Sequence, residues 1–277
     1  MSDKELLAIL QRAQGNTQKK SKNPNQSADD DPLHNLIDNA VTKSNALARA
    51  YYRFSLVEKR VMEALISKLH PMRTDNQLQD LELTAGDYLK AFPDAGHHAY
   101  GHLAKAGHQL GRKTITTRPE TNTGEYDDYP LMAHVKYKPK EGKILYTFNP
   151  KIVPHLIGLR EKFSSYPLKQ AVNFKSSYTW RFYEILVSWA QPKNKIQGRF
   201  AGWIKAHPVD ELRDMLGVPE SYKWSDFQRQ VLDVVVAELR EKARVVVFIE
   251  RVKTSRKITH LNINFIEDEQ IPMHLEN

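Results

Sequence analysis

The fold is decided by residues 207–266, HPVDELRDMLGVPESYKWSDFQRQVLDVVVAELREKARVVVFIERVKTSRKITHLNINFI. Pro208 to Leu216 reads as a short helix closed by Gly217, the residue type that ends helices in the left-handed conformation. After Val218-Pro219 a longer helix starts at Ser225, where Ser225 and Gln228 have the spacing of a capping box. Phe227, Val231, Val234 and Val235 supply its apolar face. VVVFIE at 245–250 and ITHLNINFI at 258–266 then read as strands. In the second, Leu261, Ile263 and Phe265 alternate with His260, Asn262 and Asn264, as on a half-buried strand. The connection from Arg251 to Lys257 carries Arg251, Lys253, Arg256 and Lys257. Short helix, tight turn, longer helix and basic β-hairpin is the order of elements in the winged form of helix-turn-helix.

Working outward, the same plan occurs twice. Tyr178, Phe182, Ile185, Leu186 and Trp189 lie on one face of a helix that precedes the quoted stretch. Upstream, Ser55 and Glu58 cap a helix with Val61, Met62, Leu65, Ile66 and Leu69 on its apolar side, and Thr84 and Asp87 open a short second helix broken at Pro93. A third helix runs from about His97 to Leu110, with Gly101 and Gly107 weakening it. Strand-like runs follow at 113–118, 130–138 and 143–149, the last two joined by a turn-like Pro-Lys-Glu-Gly. Asn149-Pro150 opens a further helix toward Leu159. The expected fold is α+β, two tandem winged-helix domains. Residues 1–33 form an arm with a short amphipathic helix and then a polar stretch too poor in apolar residues to order itself. The domains are 34–161 and 162–270, with a tail at 271–277.

The chain has 277 residues, 41 Lys and Arg against 33 Asp and Glu, and a net charge of +8. The excess is uneven. Residues 162–260 hold 18 basic and 10 acidic groups, net +8, whereas 34–161 are net +4, the first 33 are neutral, and the last 17 are net −4. A basic chain of this kind takes an anionic partner, nucleic acid or an acidic membrane surface. The absence of cysteine excludes disulfides, zinc fingers, iron–sulfur clusters and a thiol nucleophile. No run of ~18 apolar residues crosses a bilayer, and the N-terminus is no signal peptide; a soluble, cytoplasmic protein is expected.

The candidate site is the start of the Ser225 helix. Its positive end suits a phosphate, Lys223 just precedes it, and Arg229 has the fork that matches guanine O6 and N7. Two readings of Arg229 stand at this stage, a base contact or a surface pair with Asp226 or Asp233. The basic hairpin, Arg251, Lys253, Arg256 and Lys257, suits phosphates or a minor groove; its plainer reading is a solvated turn whose charges discourage edge pairing. Elsewhere no chemistry assembles. GHQLGRKT at 107–114 has the wrong glycine spacing and the wrong helix–strand order for a phosphate loop. His98 and His102 are one helical turn apart but lack the Glu of a zinc-protease motif. QLQDL at 77–81 loosely resembles clamp-docking peptides. No cofactor, no metal and no catalytic residue are expected, and the chain is not read as an enzyme.

Three blocks then carry a resemblance: SNALARAYYRFSLVEKRVMEALISKL at 44–69, GLREKFSSYPLKQAVNFKSSYTWRFYEILVSW at 158–189, and VDELRDMLGVPESYKWSDFQRQVLDVVVAELREK at 209–242 with the following RKITHLNINF. Phe163, Tyr166, Leu168, Ser177, Tyr178, Arg181, Tyr183, Glu184 and Trp189 make the middle block specific. In this order and spacing the chain resembles the iteron-binding replication initiators of bacterial plasmids. The resemblance implies that the C-terminal domain reads one end of a directly repeated origin sequence, while the N-terminal domain contacts the other end in monomers and forms the interface in dimers. It implies monomers that open the origin and recruit the host initiator and helicase, and dimers that bind an inverted repeat and repress the initiator's own gene. Its basic contacts map to Lys223, Gln228, Arg229 and Gln230. Some relatives are arginine-rich here, whereas this chain has Gln on both sides of Arg229, so a different repeat sequence is expected and Gln230 is expected to be partly packed. A winged-helix transcriptional repressor is the alternative function.

Overall fold

The computed structural model describes residues 36–70, 80–119, 124–190 and 199–268. The expected arm, most of the Gln-Leu pentapeptide and the tail lie outside the described residues.

The chain enters through β1 (Ala40–Ser44), a single helical turn α1 (Asn45–Ala48) and the long α2 (Leu56–Ser67). The capping box of α2 forms as its sequence requires: Ser55 Oγ accepts from the Glu58 N–H, and Glu58 Oε2 accepts from the Ser55 N–H at 2.6 Å. Next come β2 (Leu81–Thr84), α3 (Ala85–Ala91) capped by Thr84, and α4 (Ala99–Leu110). The helix expected from about His97 to Leu110 is α4, preceded by a 3-10 segment at Pro93–His98, where Pro93 and the positive φ of Gly96 interrupt the regular ladder. β3 (Thr114–Thr117) and β4 (Asp127–Pro130) pair with each other, and β5 (Met132–Lys138) turns through Gly142 into β6 (Lys143–Phe148). The helix expected from Asn149 is instead a set of turns with a 3-10 piece at Val153–His155, where Pro154 removes a backbone donor.

After that comes β7 (Phe163–Pro167) and α5 (Ser177–Trp189), then β8 (Ala201–Pro208) and α6 (Val209–Leu216). Gly217 ends α6 at φ +66°, and the Val218 N–H returns to the Arg213 carbonyl at 2.9 Å. Any side chain on Gly217 would meet the Tyr52 carbonyl at 2.9 Å, so the glycine also brings the two halves of the chain together. The next helix, α7, begins at Trp224–Phe227, passes through a π-turn at Gln228–Leu232 and is completed by Asp233–Ala243. β9 (Val245–Thr254) and β10 (Lys257–Glu267) form the final hairpin.

Two three-stranded antiparallel sheets have matching orders, β2-β6-β5 and β8-β10-β9. Each follows strand, short helix, longer helix, hairpin, which is one winged helix. The strands that precede them, β1 and β7, pair antiparallel with Ala40 opposite Pro167 and Ser44 opposite Phe163. The paired strands, and α1 lying against α5, join the two units.

That junction is charged. Glu184 on α5 accepts from Lys43 at 2.6 Å, from Lys59 at 2.6 Å and from Arg181 at 2.8 Å. Glu63 on α2 accepts from both Lys43 and Lys59, and Lys59 also donates to the Tyr52 hydroxyl at 3.0 Å. The Tyr166 hydroxyl accepts from the Trp180 indole and lies 3.0 Å from Glu184. Burial raises the Glu184 carboxyl, but Lys43, Lys59 and Arg181 outweigh it and hold the group well below the ordinary carboxylate range. Arg181 also donates to the carbonyls of Ala48, Ala50 and Met215, tying α5 to both halves. Buried ions are tolerated here because each is met by several partners.

Candidate nucleic-acid interface

The α7 helix owes its shape to its sequence. Phe227, Val231, Val235 and Leu239 are all completely buried, and they recur every fourth residue. An α-helix turns about 100° per residue, so each four-residue step drifts about 40° and three steps drift about 120°. One π-turn absorbs an extra residue and brings the drift back to about 20°. The wide turn is sealed by the Asp233 N–H donating to the Gln228 carbonyl. It corrects the expected apolar face: Leu232 is buried, and Val234, expected inside, is exposed, because residues beyond the turn are rotated by about one position.

The N-terminus differs from expectation as well. The helix starts at Trp224 with Lys223 at the cap. The acid three residues on, Asp226, accepts from the Lys223 N–H at 3.1 Å, so no Ser225–Gln228 box forms. An acid on the polar face of α7 is thereby committed to the backbone, which explains its presence next to basic groups. Ser225 and Lys223 are exposed at this end.

The polar side chains of the π-turn are partly fixed. Gln228 accepts from Arg251 at 3.0 Å and donates to Asp233 at 2.5 Å. Gln230 is exposed, not packed, and accepts from the Tyr222 hydroxyl at 2.8 Å. Arg229 is 77% exposed and 3.8 Å from Asp226, a loose contact that leaves its fork available.

The hairpin is longer than expected. Its strands run to Thr254 and from Lys257, with Ser255 at φ +57° in the turn. Arg251 and Lys253 therefore sit on β9 rather than in a loop. Arg251 stacks 5.6 Å from the Trp224 ring and reaches Gln228, joining the wing to α7. Lys253, Arg256 and Lys257 are exposed at the tip. The structure thus brings Lys223, Ser225, Gln228, Arg229, Gln230 and Arg251 to one end of α7, with the other three basic residues at the neighbouring wing.

The first unit carries a matching surface that residue patterns left in doubt. On α4 Lys105 and His108 are exposed, as is Arg112 in the turn after it, and on the β5–β6 hairpin so are His134, Lys136 and Lys140. Gly107, which looked like a weakness in the helix, lies where a Cβ would fall 2.0 Å from Ile144 Cδ1. It lets α4 press onto β6. The alternating lysines of KYKPK at 136–140 were the available signal for this wing.

Among the described residues, no group of three His, Asp or Glu side chains is placed to hold a metal ion. The His98 and His102 rings stack 6.0 Å apart without a third ligand. No described helix is long and apolar enough to cross a membrane.

Two winged helices, each with a basic wing beside an exposed helix, define a DNA-binding protein of the tandem winged-helix class. The profile described as "Initiator Replication protein, WH1" matches residues 40–187, and that described as "Initiator Rep protein, WH2" matches 208–265. The chain belongs to this family of replication initiators. The first match runs on through β7 and α5, past the boundary expected near residue 161. The "PI protein" of Escherichia coli is 25% identical over 260 residues, spanning 81% of this chain and 82% of that protein. A "Replication initiation protein" of Escherichia coli is 24% identical over 184 residues, spanning 66% and 55% respectively. A solved structure described as "Crystal structure of Pi initiator protein in complex with iteron DNA" superimposes with a TM-score of 0.66 at 23% identity, covering 83% of this chain and 98% of that one. That likeness supports the fold over the share of the chain it covers.

Proposed function

We propose that this chain initiates replication of a bacterial plasmid by binding directly repeated origin sequences (iterons) in the cytoplasm, without covalent chemistry of its own. The observation that carries the reading is the doubled winged helix. Two exposed helices and two basic wings belong to one body pinned by a buried ionic junction, as a protein gripping two successive segments of duplex requires. Residues 162–270 are assigned the main sequence-specific contact, through Lys223, Ser225, Arg229 and the wing tip. Residues 34–161 are assigned the second DNA contact in the monomer and the interface in a homodimer that represses its own gene. Origin opening, with recruitment of the host initiator and helicase, follows from the family resemblance, and the Pi initiator complex with iteron DNA favours the same ligand.

The test is replication in trans. A plasmid carrying the repeats but not the gene replicates only when the chain is supplied from a second source. A chain that silences a reporter downstream of its binding site but never sustains such a plasmid is a repressor.

A further inference from the structure

The α7 helix contains a feature that binding to a phosphate backbone does not need. Its π-turn, Gln228–Leu232, carries three of the candidate contact side chains, Gln228, Arg229 and Gln230. On one flank Gln228 is held at both ends of its amide, by Arg251 from the wing and by Asp233 from the next turn. On the other, Gln230 is held by Tyr222 from the loop before α7. Between them Arg229 is the side chain of the three that projects most freely.

We propose that the π-turn and its two clamps, Arg251–Gln228–Asp233 and Tyr222–Gln230, aim Arg229 at the base edges and so set the sequence preference of the protein. Arg251 is then a positioning residue rather than a phosphate ligand. This inference rests on the DNA-binding reading above. Its physical basis is angular: moving from a π-turn to a regular α-helix shifts the following residues by about 100° around the axis. With Phe227 and Val231 fixed in the core, the side chains between them must swing. An arginine fork must meet guanine in one plane to donate twice, so a swing of this size removes the bidentate contact.

The sequence offers a clean test. Deleting Gln230 places the apolar residues at spacings of three, four and four, which keep to an arc of about 80° on a regular α-helix. The deletion variant is therefore expected to fold, as checked by thermal denaturation and circular dichroism. Affinity is then measured on a duplex carrying the repeat and on a shuffled duplex of equal composition, across a salt series. The expected result is a discrimination ratio lowered about tenfold or more, one bidentate contact. Unchanged discrimination in a folded deletion variant overturns the proposal.

Arg251→Ala is the second arm, since it leaves the helix sequence intact. It is expected to lower discrimination while keeping the wild-type salt slope. A slope flattened by roughly 0.9, with equal losses on both duplexes, makes Arg251 a phosphate ligand and overturns its positioning role. Wild-type protein that fails to discriminate the two duplexes contradicts the DNA-reading assignment itself and is thereby distinguished from failure of the π-turn proposal.

Discussion

Lys43 and Glu184 are 141 positions apart in the chain and 2.6 Å apart in space, both sealed from solvent. The lysine lies on β1 of the first unit and the glutamate on α5, which leads into the second. Lys59 and Arg181 converge on the same carboxylate. The relative placement of the two winged helices is therefore fixed by ions as well as by apolar contact, and ion pairs with defined directions tolerate fewer alternative packings than apolar side chains do.

Glu184→Ala is expected to destabilise the fold by about 3–5 kcal/mol, because it leaves Lys43, Lys59 and Arg181 buried with too few acceptors. Urea denaturation checks it. A loss under about 1 kcal/mol means that water reaches the junction and the charges are not confined as described.

The same carboxylate makes stability depend on acid. Its native pKa lies below the ordinary value of 4.5, so the unfolded chain binds a proton first as the pH falls. The Glu184 contribution is fully present above about pH 4.5 and is lost as the pH drops toward the native pKa. Stability followed from pH 6 down to pH 3 should fall more steeply in wild type than in Glu184→Gln; parallel curves would remove Glu184 from the acid transition.

Arg229→Ala is expected to weaken binding to the specific repeat by about 1–3 kcal/mol and to relax the choice of base at one position. A gel-shift titration with single-base variants of the repeat measures both. Equal affinity for all variants in wild type and mutant alike places base reading elsewhere.

Much of this was legible in the residues. Helix caps at Ser55 and Thr84, the glycine stop at Gly217 and the alternation of Leu261, Ile263 and Phe265 each encode a local structure through short-range chemistry, and each formed as read. The π-turn was not legible from a 3.6-residue pattern. Phe227, Val231 and Val234 fit a regular helix, and only the continued four-residue spacing to Val235 and Leu239 betrays the wide turn. Lys43, Lys59, Glu63, Arg181 and Glu184 were invisible as a group because their partners come from distant segments, and charged residues in a sequence ordinarily mark solvent. The partners of the wing residue Arg251, Trp224 and Gln228, were not legible for a related reason: they meet it only after the sheet folds.

Neutralising Arg256 and Lys257 together is expected to lower affinity for every duplex and to flatten the dependence of log K on log salt by roughly 0.9 for each phosphate that the tip no longer neutralises. Fluorescence anisotropy at several salt concentrations reads the slope. A slope equal to that of the wild type would take the hairpin tip off the backbone.

The central claim is that this chain grips duplex DNA at repeated sites and leaves its strands intact. Footprinting across the DNA that flanks its own gene, with magnesium present and the strands afterwards run on a denaturing gel, tests both parts at once. Evenly spaced protected segments, each spanning about one to two helical turns, are expected on uncut strands. Uniform, unspaced protection or a protein-dependent nick would contradict it.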